Sequence, residues 1–128
     1  MREIMRLVES NTAFTDHLHD AVEASGAGWH FEEGGCWGMA LALYDAFKAL
    51  GEQPQLMLQT DDFAHALVLV DGQLYDYTGA VDHNPPVTPT TRAGLMRAAL
   101  KGGQSAYDVR GDAIAAAEII QTAQNWDD

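Results

Sequence analysis

Cys36 follows two glycines and opens a long, nearly uncharged stretch, His65 opens an apolar run, and Asp76 lies a short interval further along the chain. A thiol, an imidazole and a carboxylate in this order are the parts needed for nucleophilic acyl transfer. The thiolate attacks a carbonyl carbon, the imidazole takes and returns a proton, and the carboxylate orients the imidazole. Cys36 is the only cysteine, so no internal disulfide competes for its sulfur. The ordinary alternative is that a free cysteine serves as a small buried hydrophobe and that a histidine beside an apolar strand is a packed residue satisfied by a carboxylate.

Three elements must position these groups. Residues 34–50 carry only Asp45 and Lys48 as charges and stop at Gly51, which predicts a helix covered on several sides with Cys36 at its start. The unpaired N–H groups and positive dipole end of such a helix favour negative charge on the sulfur. They can also stabilise an oxyanion on the attacked carbonyl, with Gly35 and Cys36 as the expected backbone donors. Residues 55–60 and 64–70 are expected strands, the second apolar at every position after His65. Asp71-Gly72 supplies a two-residue hairpin turn, and residues 73–78 return. In that register Leu67 opposes Asp76 and His65 opposes Thr78, so His65 and Asp76 are diagonal neighbours about 7 Å apart. The expectation is that His65, Leu67, Leu74, Asp76 and Thr78 share one face and that the helix of Cys36 packs on it. A slip of one residue would send Asp76 to the other side.

Elsewhere the chain predicts flanking helices. Ile4, Leu7 and Val8, then Leu18 and Val22, suggest two short helices or an interrupted one before Gly26. Residues 84–89 hold three prolines and are expected to form an extended surface loop. Residues 91–101 and 112–124 have helical spacing, the latter with a cap near Gly111-Asp112, and Tyr107-Asp108-Val109 is a candidate edge strand. The order predicts an α+β fold: a central helix carrying the nucleophile, packed on a small antiparallel sheet of three strands with flanking helices, in a single domain over residues 1–128.

Nineteen acidic against seven basic side chains give a net charge of −12, which disfavours nucleic acid and anionic membrane as partners and leaves room for a basic protein partner. No apolar run has the length of a membrane span, and the N-terminus leads into charged residues rather than a Sec-type signal. The expected location is the cytoplasm, or a host cell reached by a non-Sec route. His17 and His19, two apart on a helix, point in different directions and make a poor metal pair. Asp61-Asp62 with His65 and Cys36 form a weak zinc alternative to a strand-end turn, and no metal is expected. Trp29, His30 and Trp37 lie near Cys36 in sequence and are candidates, with Gly35, for substrate or oxyanion binding, while Tyr75 and Tyr77 are expected to pack.

The segment Gly34-Gly35-Cys36-Trp37-Gly38-Met39-Ala40 resembles the nucleophile helix of papain-like cysteine peptidases, and residues 65–78 resemble their histidine and aspartate strands. The short interval from Cys36 to His65 is nearer to compact bacterial branches, transglutaminase-like proteins and cell-wall peptidases, than to papain. The resemblance implies a single papain-like domain with Cys36 as nucleophile, His65 as general base and then acid, and Asp76 as third member, without a cofactor, acting on a peptide or protein amide. Papain has a glutamine before its nucleophile that donates to the oxyanion; residues 1–35 contain none, so Asn11, Trp29, His30 or the backbone at Gly35 and Cys36 must serve. Two rival readings share this core. One is a transglutaminase or glutamine deamidase effector with the same triad, and the other is a non-catalytic acidic binding or inhibitor protein.

Overall fold

The computed structural model describes residues 13–33, 35–60 and 65–126. After a 3-10 turn at Phe14–His17 come helices α1 (Leu18–Ser25), α2 (Gly28–Glu33) and α3 (Cys36–Ala49), then strands β1 (Gln55–Gln59), β2 (Ala66–Val70), β3 (Gln73–Asp76), β4 (Gly79–Ala80) and β5 (Val87–Pro89), then helices α4 (Arg92–Lys101) and α5 (Ala106–Gln124). The fold is α+β, with one antiparallel sheet of order β4-β3-β2-β1-β5. Among the described residues no helix is long and apolar enough to cross a membrane.

α3 is the hub. Its residues from Cys36 to Leu43 and Phe47 are buried, which fits a helix with few charges and explains why it is enclosed by α5 on one side and by the sheet on the other. Close approach to α5 depends on Gly38: a Cβ there would lie 2.5 Å from Cβ of Asp112 and 2.6 Å from the backbone nitrogen of Ala113. At the far end, the Phe47 ring stands 5.2 Å from Phe14 and 5.0 Å from Tyr75, joining helix, 3-10 turn and β3.

The β2–β3 hairpin has the expected register, with Val68 opposite Tyr75, Leu69 opposite Leu74 and Val70 opposite Gln73. Both turn residues have positive φ, 50° at Asp71 and 80° at Gly72, the conformation that an Asp-Gly pair accommodates in a two-residue hairpin. The face expected to meet α3 is reversed. Ala66, Val68, Val70 and Tyr75 join the core around α3, whereas Leu67 and Leu74 form a separate cluster with Met57 and Val81 on the other side of the sheet.

Three further expectations are corrected. The sheet has five strands rather than three. The proline-rich segment is not wholly a loop: Val87–Pro89 pairs with β1 as the outermost strand, the one place in a sheet where a residue without a backbone donor is tolerated. Tyr107-Asp108-Val109 is helical, because α5 begins six residues before the expected cap. Ser105 accepts from the Asp108 N–H at 3.0 Å while the Asp108 carboxylate accepts from the Ser105 N–H at 3.0 Å, a reciprocal cap that satisfies two end donors. Gly111 is thereby an exposed position inside the helix, not its start.

Candidate functional site

Gly35 is the N-cap of α3, with no side-chain cap, and the first turn carries no acidic residue. The helical ladder starts with the Met39 N–H donating to the Gly35 carbonyl at 3.0 Å, so the N–H groups of Cys36, Trp37 and Gly38 have no carbonyl of their own helix to bond. The Gly35 N–H, by contrast, donates to the His30 carbonyl at 2.9 Å. It is therefore spent inside α2, and of the two expected backbone oxyanion donors only Cys36 is left. Cys36 is buried, 5% exposed, and belongs to the core around α3.

His65 lies one residue before β2, and its carbonyl accepts from the Gln59 N–H at 2.8 Å, which continues the β1–β2 pairing and fixes its backbone. Asp76 is the last residue of β3 and pairs with Gly79 of β4. Their side chains meet although α3 covers the opposite face from the one expected. His65 Nε2 is 3.2 Å from Asp76 Oδ2, the side chains being 21% and 15% exposed. The second Asp76 oxygen is also engaged: Oδ1 accepts from the Thr78 backbone N–H at 2.8 Å and from the Thr78 hydroxyl at 2.5 Å. With both oxygens held, the carboxylate presents a fixed edge to the imidazole. The Thr78 clamp was not anticipated in the sequence, though an aspartate two residues before a threonine at a strand end is a turn signal in its own right.

Cys36 is the other group that acts on the His65 imidazole. With Nε2 turned to Asp76, Nδ1 is the ring nitrogen left for the sulfur. Burial favours neutral imidazole, but the hydrogen bond to Asp76, the carboxylate's charge and the nearby Cys36 outweigh it and raise the His65 pKa to about 9. Asp76 moves the other way. Burial would raise it, yet the hydrogen bonds from His65 and Thr78 and the charge of His65 hold it below the usual carboxylate range. The three side chains singled out by type and order thus come together: His65 is bonded to Asp76, Asp76 is held by Thr78, and Cys36 lies close enough to act on the imidazole.

No family model, curated protein or solved structure matches the chain. What the site can do is therefore argued from its own atoms.

The remaining sequence candidates divide. Trp37 is buried beside His65, and the two line a cavity of about 310 Å³. His30 is turned elsewhere: its Nε2 is 2.5 Å from Asp112 Oδ1, and its ring meets that of Phe31 edge-on at 5.5 Å. The side chain of Trp29 lies outside the described residues, as do Asn11, the acidic pair Asp61-Asp62 and Ile4, Leu7 and Val8 of the expected first helix. His17 stacks on Trp126 and His19 pairs with Glu23, so neither faces the site. Among the described residues no group of three or more His, Cys, Asp or Glu side chains is arranged to hold a metal ion.

Proposed function

We propose that the chain is a cysteine-dependent hydrolase of amide bonds, working through a thioester on Cys36. The observation that carries the reading is that His65, bonded to Asp76, stands close to Cys36 at the start of a helix whose first N–H groups have no helical acceptor. That combination supports the resemblance to papain-like peptidases more than either the lone cysteine or the lone His-Asp pair does.

The chemistry follows from the positions. The Cys36 sulfur, its proton held on His65, attacks the amide carbon, and the carbonyl oxygen becomes an oxyanion that the Cys36 N–H is placed to meet. His65 gives its proton to the departing nitrogen, the C–N bond breaks, and an amine leaves with the acyl group on sulfur. Water then loses a proton to His65 as its oxygen bonds to the acyl carbon. The C–S bond breaks, yielding a carboxylic acid and restoring the thiolate-imidazolium pair. Asp76 keeps the ring aligned through both proton transfers and stabilises its charged form.

The test uses the whole chain. Cys36 should react with iodoacetamide at neutral pH markedly faster than free cysteine, and a peptide library incubated with wild type should show products gaining one water per cut that Cys36→Ala does not produce. Alkylation no faster than free cysteine, or identical library products from both proteins, would overturn the reading. Exchange of a side-chain amide's ammonia for water, with no backbone cut, or joining of an amine to that acyl group as ammonia leaves, would keep the thioester and change the amide attacked or the acceptor.

A further inference from the structure

The cavity beside His65 has two different walls. Trp37, Leu58 and Ala98 give it an apolar side, while Gln59, His65 and Lys101 supply polar groups. Its volume of about 310 Å³ is near the lower bound of small-ligand sites, enough for one side chain rather than an extended ligand. Lys101 is the last residue of α4 and has no anionic partner among the described residues. An ammonium with no anionic partner among the described residues thus adds positive charge to the polar side of this cavity, in a chain whose net charge is −12.

We propose that this cavity receives the amine side of the scissile amide, and that the preferred leaving group is an apolar amino acid whose free carboxylate pairs with Lys101. The inference rests on the reading of Cys36 and His65 given above. His65 is the group that must protonate the departing nitrogen, so a cavity lined by its ring lies on the leaving-group side of the bond. The apolar wall suits a side chain of about the size of leucine, and Lys101 supplies the only positive charge among the lining residues other than the imidazolium itself. Gln59 adds a hydrogen-bonding amide at the same cavity. The substrate class is therefore a peptide or acyl-amino acid cut at its last, apolar residue.

Matched haloacetyl amides test this without knowledge of the acyl half. Bromoacetyl-leucine and bromoacetyl-leucinamide both alkylate a thiolate, forming a C–S bond as bromide leaves, and differ only in the carboxylate. The ratio of their second-order rates at Cys36, measured by mass spectrometry, reports recognition of that carboxylate whatever the absolute rates are. Lys101→Gln should lower the acid-to-amide ratio about two- to fivefold, the range expected of one partly exposed charge pair. Lys48→Gln changes net charge equally at the opposite end of α3, about 18 Å of helix from Cys36, and should leave the ratio unchanged. In a second arm, Ala98→Leu should slow bromoacetyl-leucine more than bromoacetyl-glycine by filling the apolar wall. Equal ratios in wild type and Lys101→Gln, or equal losses with Lys101→Gln and Lys48→Gln, overturn the proposal while fast Cys36 alkylation keeps the hydrolase reading. Uniformly slow alkylation with a ratio that still depends on Lys101 does the reverse.

Discussion

Among the described residues two His-Asp pairs join different elements, and they are not equivalent. His65 and Asp76 are joined at 3.2 Å across neighbouring strand ends, and His30 and Asp112 at 2.5 Å between α2 and α5. By distance alone the second pair would be judged the stronger. What separates them is the third neighbour. His65 is 21% exposed and has Cys36 close by, whereas His30 is 48% exposed and has the edge of Phe31 and the Gly35 backbone beside it. The first pair sets its imidazole beside the chain's single cysteine. The second ties α2, which precedes Cys36, to the helix that packs on Gly38, so its contribution is to keep the start of α3 in place. A histidine-carboxylate bond identifies a site only when the ring's other nitrogen has a reacting partner.

The largest effect should come from removing one histidine of each pair. His65→Ala should slow iodoacetamide alkylation of Cys36 at neutral pH by about ten- to thirtyfold, since an unassisted cysteine is only a few per cent thiolate there. His30→Ala should leave that rate within about threefold and instead lower stability by about 0.5–1.5 kcal/mol, the range for one modest hydrogen bond, read by urea unfolding. Equal rate losses in the two variants would break the comparison.

How much of this was legible in the chain depends on how local each cause is. The helix of Cys36 and the β2–β3 register follow from short signals, an uncharged apolar stretch ended by Gly51 and an Asp-Gly turn, and both stand where the sequence puts them. The face on which α3 packs does not follow. Ala66, Val68 and Val70 alternate with Leu67 and Leu69, all apolar, so a strand buried on both sides carries no parity that could tell one face from the other. His65 and Asp76 are legible as partners all the same, because the hairpin register makes them diagonal neighbours whichever face they share. The loss of Gly35 as an oxyanion donor is a tertiary fact: it depends on α2 ending with the His30 carbonyl under the Gly35 N–H. The start of α5, by contrast, is readable, because Ser105 and Asp108 have the spacing of a reciprocal cap.

The electrostatic difference between the pairs can be measured directly. His65, raised from 6.5 to about 9, gains its proton in the folded state, so its contribution to stability is complete below pH 6.5 and is lost as pH rises through about 9. Asp76 is depressed, so its contribution is present above its ordinary carboxylate range and is lost on acidification through its lowered folded value. NMR titration of the imidazole signals should show one histidine with a midpoint near 9. Asp76→Asn removes the carboxylate that opposes burial and should bring that midpoint down, whereas Asp112→Asn should leave it where it is. A midpoint for His65 that ignores Asp76→Asn would mean that the strand-end pair does not set the charge of the ring.

The smallest change sharpens the comparison inside the first pair. Thr78 bonds Asp76 twice, once through its backbone N–H and once through its hydroxyl. Thr78→Val keeps the shape and the backbone bond while deleting the hydroxyl, so the carboxylate retains one of its two restraints on Oδ1. Because Thr78 is exposed, water can replace the lost donor, and the stability cost should stay at or below about 1 kcal/mol. The hydroxyl helps to hold Asp76 in its charged form, so its removal should weaken the hold on His65 and lower the imidazole midpoint by less than Asp76→Asn does. That graded order, wild type above Thr78→Val above Asp76→Asn, is what a relay running from Thr78 through Asp76 to His65 requires. An unchanged midpoint with normal stability would confine Thr78 to shaping the turn between β3 and β4, and would leave Asp76 alone as the group that holds the proton on His65.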